Sequence, residues 1–285
     1  MRFNCNKTVL VLSTIGLFAS GVASATSSSS SGCNVNTGCD SWTNASVYDL
    51  TTSEHNYDVY ENIDPTNSTV VVNGVFISVT AWSDTAGGSS DDIVTSASMS
   101  GPYGEGFGII NQDESSFDHH DHYHAIDNLG NATDYDMVLF SFSEAVSLTG
   151  ATFSWAGGHS RTQQVTVAGL SDINQLTSGS ASWNDISNGI DASMKGSFQM
   201  GYDGTYYSDF TTSGTSQYWL VGAYNSLFAY VDGFSKHNDA FKLSSIGFNK
   251  VEENNGDPDP VNAPSSFALL LLAGGFAAWR KKQAK

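Results

Sequence analysis

Short runs of alternating apolar residues, turn residues between them and no sustained helical periodicity from Cys33 to Lys250 predict an all-β chain. The specific expectation is a single antiparallel β-sandwich, jelly-roll-like. The sharpest local signal is Asn73-Gly74, set between Thr69–Val72 and Val75–Trp82. A type I′ hairpin turn needs positive φ at both central residues, and Asn-Gly tolerates that best. The chain holds 28 glycines, enough to punctuate many short strands, and shows no repeat of fixed period that would indicate a propeller or solenoid.

After the hairpin, Met137–Ser143 alternates with Val138, Phe140 and Phe142 on one face. Val146–Leu148 and Ala151–Trp155 repeat the period of two, and Gln164–Ala168 places Val165 and Val167 together. Tyr218–Tyr224 is a broader apolar strand, and Phe241–Phe248 closes the series. Ile173–Leu176 and the surroundings of Ile190 hold at most a turn or two of helix.

Both ends read as export and processing segments. Arg2 and Lys7, then the apolar stretch Val9–Val22, then Ala23-Ser24-Ala25 form a secretory signal peptide over residues 1–25, with Thr26 the expected mature start. Residues 26–40 are a Ser-rich lead-in, 41–252 the sandwich domain, 253–260 an acidic Pro-containing linker, and 261–285 a terminal signal. That signal reads Asn262-Ala263-Pro264-Ser265-Ser266, an apolar run Phe267–Trp279, and the basic stop Arg280-Lys281-Lys282. The run is shorter than the about 20 residues of a comfortable bilayer span. Its basic flank orients it with the preceding chain outside.

This tail resembles the C-terminal sorting signal of the PEP-CTERM family, which exosortase-type membrane proteases recognise in Gram-negative bacteria. Many members carry Pro-Glu-Pro; here the motif is similar to the Ala-Pro-Ser variant. A second resemblance covers Gly106–Trp155, with Gly106-Phe107-Gly108-Ile109-Ile110-Asn111, His124-Ala125-Ile126-Asp127-Asn128, and Tyr135–Phe142 running into Val146–Gly150. That order is similar to the β-sandwich region of exosortase-dependent surface proteins. It implies a fold and a surface role and brings no reaction. The resemblances imply an exosortase-type processing protease as partner, transient inner-membrane anchoring through the C-terminal helix, and a final location at the cell surface or outside the cell.

Removal of both ends leaves five basic residues (Arg161, Lys195, Lys236, Lys242, Lys250) against 29 acidic ones, a net charge of −24. Such a surface repels phosphate backbones, which excludes nucleic acid as a partner. Cys5 leaves with the signal peptide. Cys33 and Cys39, with five residues between them, are expected to close a small disulfide loop in an oxidising compartment.

Three clusters could carry chemistry. Asp118–His124 holds four of the seven histidines, and His120, His122 and His124 share a face if the stretch is extended, which suits Zn²⁺ or Cu²⁺ or else an exposed polar loop. Asp127, Asn128, Asn131, Asp134 and Asp136 are oxygen-rich, as a Ca²⁺ site requires. Asp127 and Asn128 serve equally well as caps of a strand junction. Tyr202, Tyr206, Tyr207, Phe210, Tyr218, Trp219 and Tyr224 stand among hydroxyls and carboxylates, either as stacking surfaces for sugar, with Tyr206, Tyr207, Tyr218 and Trp219 the leading candidates, or as half-buried strand aromatics. No nucleophile elbow, zinc-protease helix or phosphate loop is present. The expected function is therefore non-enzymatic and structural, in an exopolysaccharide or biofilm matrix. The alternatives are a calcium-assisted lectin-like module and a secreted hydrolase.

Overall fold

In a computed structural model of the protein, residues 32–52, 63–84, 93–102, 106–111, 124–129, 135–158 and 162–251 are described. The expected signal peptide, acidic linker and terminal signal, with Asn262, Ala263, Pro264, Ser265, Ser266, Arg280, Lys281 and Lys282, lie outside these residues. The described residues are mostly strand, with one α-helix among them, and their main feature is a large curled antiparallel sheet.

The strands are β1 (Cys33–Asn34), β2 (Gly38–Cys39), β3 (Ser46–Asp49), β4 (Val71–Val72), β5 (Val75–Asp84), β6 (Val94–Ser100), β7 (Gly108–Ile110) and β8 (Ile126–Asp127). They continue as β9 (Asp136–Gly158), β10 (Gln164–Leu170), β11 (Lys195–Gln199), β12 (Gly201–Tyr202), β13 (Tyr206–Asp209), β14 (Ser216–Ala223) and β15 (Asp239–Lys250). The turn between β4 and β5 is the expected one: Asn73 has φ 50° and Gly74 φ 80°, with Val72 opposite Val75.

The sheet is organised by β9, which runs for 23 residues where the sequence suggests three separate strands. Its first part, Asp136–Phe142, pairs with β5 on one edge and β14 on the other. Val146 still stands opposite Ser216 of β14, and beyond it the strand pairs with β15 and β13 instead. A straight strand of that length would span roughly 75 Å. Its two ends nevertheless return to one place: Asp127 N–H donates to Asp136 at one end of β9, Asp127 stands opposite Ala240, and Asp239 stands opposite Gly158 at the other end. The strand is an arch that leaves along β5 and comes back along β15. The sheet also closes on its far side, since Phe107, just before β7, exchanges two main-chain hydrogen bonds of 2.8 Å with Leu243 of β15.

Inside the curl sits the main core. Val138, Phe140 and Phe142 of β9 face it, as their alternation predicts, together with Val165 and Val167, Trp219 and Val221, and Phe241, Leu243, Ile246 and Phe248. Phe142 from the outgoing part of β9 packs on Phe248, ring centroids 5.1 Å apart, and Phe153 on Phe241 at 4.8 Å. The outer face of the first half is apolar too. Met137, Leu139, Leu170 and Leu220 are buried beneath Trp183, Ile186 and Leu176, which belong to the connection after β10. That connection carries α1 (Trp183–Asn188), started by a capping box in which Ser182 and Asp185 satisfy each other's main-chain N–H. Trp183 is pinned by Nε1–H donation to the Tyr135 carbonyl at 3.1 Å and an edge contact with Phe228.

The N-terminal segment is a disulfide-closed ribbon, held on the sheet by one indole and by the pairing of β3 with β15. β1 and β2 form a ribbon with Cys33 opposite Cys39, and the two are bonded. Trp42 then lies across the pair Gly150 and Gly247, which face each other on β9 and β15. A Cβ at Gly150 would come within 2.3 Å of the indole, and one at Gly247 within 2.7 Å. Glycine is needed at both because the ring occupies the place of a side chain. Asp209 fixes the indole by accepting from Nε1–H at 2.7 Å.

Candidate functional site

Strand ends gather at one end of the curled sheet, and several buried polar residues meet there. β5 ends in Asp84, β8 in Asp127, β9 begins with Asp136, β10 with Gln164 and β15 with Asp239, and all five are buried. Each carboxylate has a local task. Asp84 accepts from Tyr135 N–H, Asp127 from Leu129 N–H at 3.0 Å, and Asp136 from Asp127 N–H at 3.3 Å. A chain leaving a sheet exposes main-chain donors that have lost their ladder partners, and buried donors must be satisfied. Short acidic side chains do this at each exit.

Asn128 and Asp239 form the centre of the arrangement, and both are fully buried. Asn128 Nδ2 donates to the Tyr224 carbonyl at 2.7 Å and to Asp239 Oδ2 at 3.1 Å, and its Oδ1 accepts from Asp239 N–H at 2.8 Å. The main-chain N–H of Asn128 donates to the Asp239 carbonyl at 3.1 Å. Asp239 Oδ1 accepts from Gln164 N–H at 2.8 Å, so the pair ties β8, β10, β14 and β15 together. Burial pushes the Asp239 carboxyl up to about 7 against the opposing pull of the Gln164 and Asn128 hydrogen bonds. Nearby, burial first and then the charge of Asp84 raise the Tyr135 phenol to about 12. His237, tilted against the Tyr135 ring at 6.1 Å, is held below its usual value chiefly by burial.

Of the residues expected to bind metal, His120, His122, Asn131 and Asp134 lie outside the described residues. His124 sits at the entry to β8 with φ 55°, where its carbonyl accepts from the buried Lys242 ammonium. Asp127, Asn128 and Asp136 are brought together, but in the capping role that their residue types equally allow. Among the described residues no group of three or more His, Cys, Asp or Glu is arranged to hold a metal ion.

The four leading sugar-stacking candidates are not brought onto one surface. Trp219 is fully buried in the main core, with Nε1–H donating to the carbonyls of Val146 and Ser216 at 3.0 and 3.1 Å. Tyr218, its neighbour on β14, points the other way and packs on the outer cluster. Tyr206 rests against the main core, and Tyr207 against the disulfide ribbon and Trp42. The ring presented to solvent in this region is Tyr202 on β12, 66% exposed and 4.8 Å from Tyr206.

Sequence reasoning missed Asp239 as the partner of Asn128. An aspartate just before an apolar strand reads as a turn residue, and nothing marks its pairing with an amide 111 positions away. No protein-family model matches the chain, and neither the curated proteins nor the solved structures contain a match.

Proposed function

We propose that this chain is an exported, exosortase-processed protein of the cell surface or extracellular matrix of a Gram-negative bacterium, with a non-enzymatic structural role alongside exopolysaccharide. The observation that carries the reading is the tail, Asn262-Ala263-Pro264-Ser265-Ser266 with its apolar run and Arg280-Lys281-Lys282, on a chain that opens with an export signal. The Cys33–Cys39 bond supports it, since such bonds persist in oxidising compartments. The use of buried carboxylates as caps supports a structural role for the strand-end cluster. Among the described residues no helix is long and apolar enough to cross a membrane; the anchor in this reading is the terminal run Phe267–Trp279. We read the curled sheet as a distorted jelly-roll-like sandwich in which β9 serves both layers. The alternative, a calcium-assisted carbohydrate-binding module, is favoured by one observation, the exposed Tyr202 ring.

Intact-mass analysis of the chain, produced in a Gram-negative host with and without its exosortase-type protease, tests the reading. The expected product starts at Thr26 and lacks the basic tail only when the protease is present. An identical, unprocessed mass in both strains would sink it.

A further inference from the structure

We propose that the β12–β13 hairpin is a contact site for a neutral glycan, with the Tyr202 ring as the surface on which a pyranose face stacks. The inference rests on the extracellular reading above and names the partner chemistry that reading leaves open.

The hairpin is short but well supported. Tyr202 stands opposite Tyr206, their rings 4.8 Å apart and inclined at 56°. Tyr206 stands opposite Phe153 of β9 and rests on the main core. The next residue, Tyr207, packs the other way, onto the cluster of Cys33, Cys39 and Trp42. Gly201 leaves room for it, since a Cβ there would come within 2.7 Å of the Tyr207 ring. The turn is closed by Asp203 N–H donating to the Thr205 carbonyl at 3.1 Å, with Gly204 at φ 76°. A ring held this way loses little freedom on binding, which is what makes a weak stacking contact productive.

The chemistry around the ring selects the occupant. Tyr202 is 66% exposed and its neighbour Asp203 is also exposed, so an apolar face and a hydrogen-bond acceptor stand side by side at the tip. A pyranose offers the matching pair, an apolar C–H face rimmed by hydroxyl donors. A protein partner of ordinary stability needs a surface of roughly 800 Å² on each side, far more than one ring at a hairpin tip. Charge narrows the class further: five basic against 29 acidic residues in the mature chain repel uronate or sulfated polymers and leave neutral ones.

Affinity electrophoresis of the full chain in detergent, through gels containing dextran, galactomannan or alginate, decides the matter. Retardation is expected in at least one neutral gel, unchanged by EDTA. It should weaken about tenfold in Tyr202→Ala and persist in Tyr202→Trp. It should also persist in Tyr230→Ala, which removes an equally exposed tyrosine from another loop. Equal retardation of Tyr202→Ala and the parent chain would overturn the proposal, as would retardation in alginate alone or in none of the gels. A chain that is processed at its tail yet runs freely in all three gels sinks the glycan site and leaves the surface reading intact. A chain that is retarded but never processed does the reverse.

Discussion

Trp42→Ala is expected to be the most damaging single substitution in the N-terminal half, lowering stability by about 3–5 kcal/mol. For a domain of this size that corresponds to a fall in melting temperature of roughly 10 °C. The indole is 6% exposed and spans three glycines, Gly38, Gly150 and Gly247. Its removal leaves a void between the disulfide ribbon and the sheet, floored by glycine backbone and walled by Cys33, Cys39 and Tyr207. The hydrogen bond to Asp209 goes with it. Gly247→Ala is expected to be destabilising in the parent for the complementary reason, because its Cβ would meet Trp42 at 2.7 Å and Thr149 Oγ1 at 2.5 Å. In the Trp42→Ala background the same change should cost clearly less, since the methyl then enters vacated space. A four-member cycle of thermal melts reads both effects. Additive losses, or a Trp42→Ala melt within 2 °C of the parent, would mean that the indole does not hold this junction.

That junction also shows why β9 is legible only in pieces. Val138, Phe140 and Phe142, and later Ala151 and Phe153, announce strand by their alternation, and all of them are buried in the core as that pattern requires. Gly150 breaks the pattern and reads as a turn residue, whereas its actual task is to admit an indole from a segment 108 positions earlier. The sequence records that a side chain is missing but not what fills the gap. The outer layer is hidden for a related reason. Met137, Leu139 and Leu220 look like interruptions of a two-sided strand until the connection with Trp183 and Ile186 covers them.

The polar cluster is legible by composition and not by role. Asp127, Asn128 and Asp136 stand out as an oxygen-rich stretch, which suits a cation and a strand junction alike. The difference lies in which donors surround them. Here the donors are main-chain N–H groups of Leu129 and Asp127, with Asp239 N–H on Asn128. Local spacing carries no information about a partner on β15. The aromatic cluster is legible to the same extent: half-buried strand aromatics are one of its two readings, but periodicity places Tyr218 and Trp219 on opposite faces without saying that both faces are covered.

The pH dependence of stability is expected to carry the signature of Asp239. Its carboxyl lies at about 7 in the fold against an ordinary 3.8, chiefly because burial resists the charged form. Between these values the folded chain holds a proton that the unfolded chain has released, so stability falls as pH rises from about 4 to about 7 and levels off above. The whole effect is on the order of 4 kcal/mol at most. His237 acts in the opposite sense. Its folded value is depressed by burial, so the unfolded chain binds the proton first and stability falls as pH drops below the ordinary 6.5. The two contributions overlap, and the parent chain alone does not separate them. Asp239→Asn does: it keeps an acceptor for Gln164 N–H and has no proton to lose, at the cost of setting an amide beside Asn128 Nδ2. Urea melts of both chains at pH 5, 6, 7 and 8 should show a difference in stability that moves steadily in favour of the variant as pH rises to 7 and then stays constant. A difference that does not vary with pH would mean that Asp239 is already ionised at pH 5 in the fold. The hydrogen bonds from Gln164 and Asn128 would then outweigh burial at this strand end.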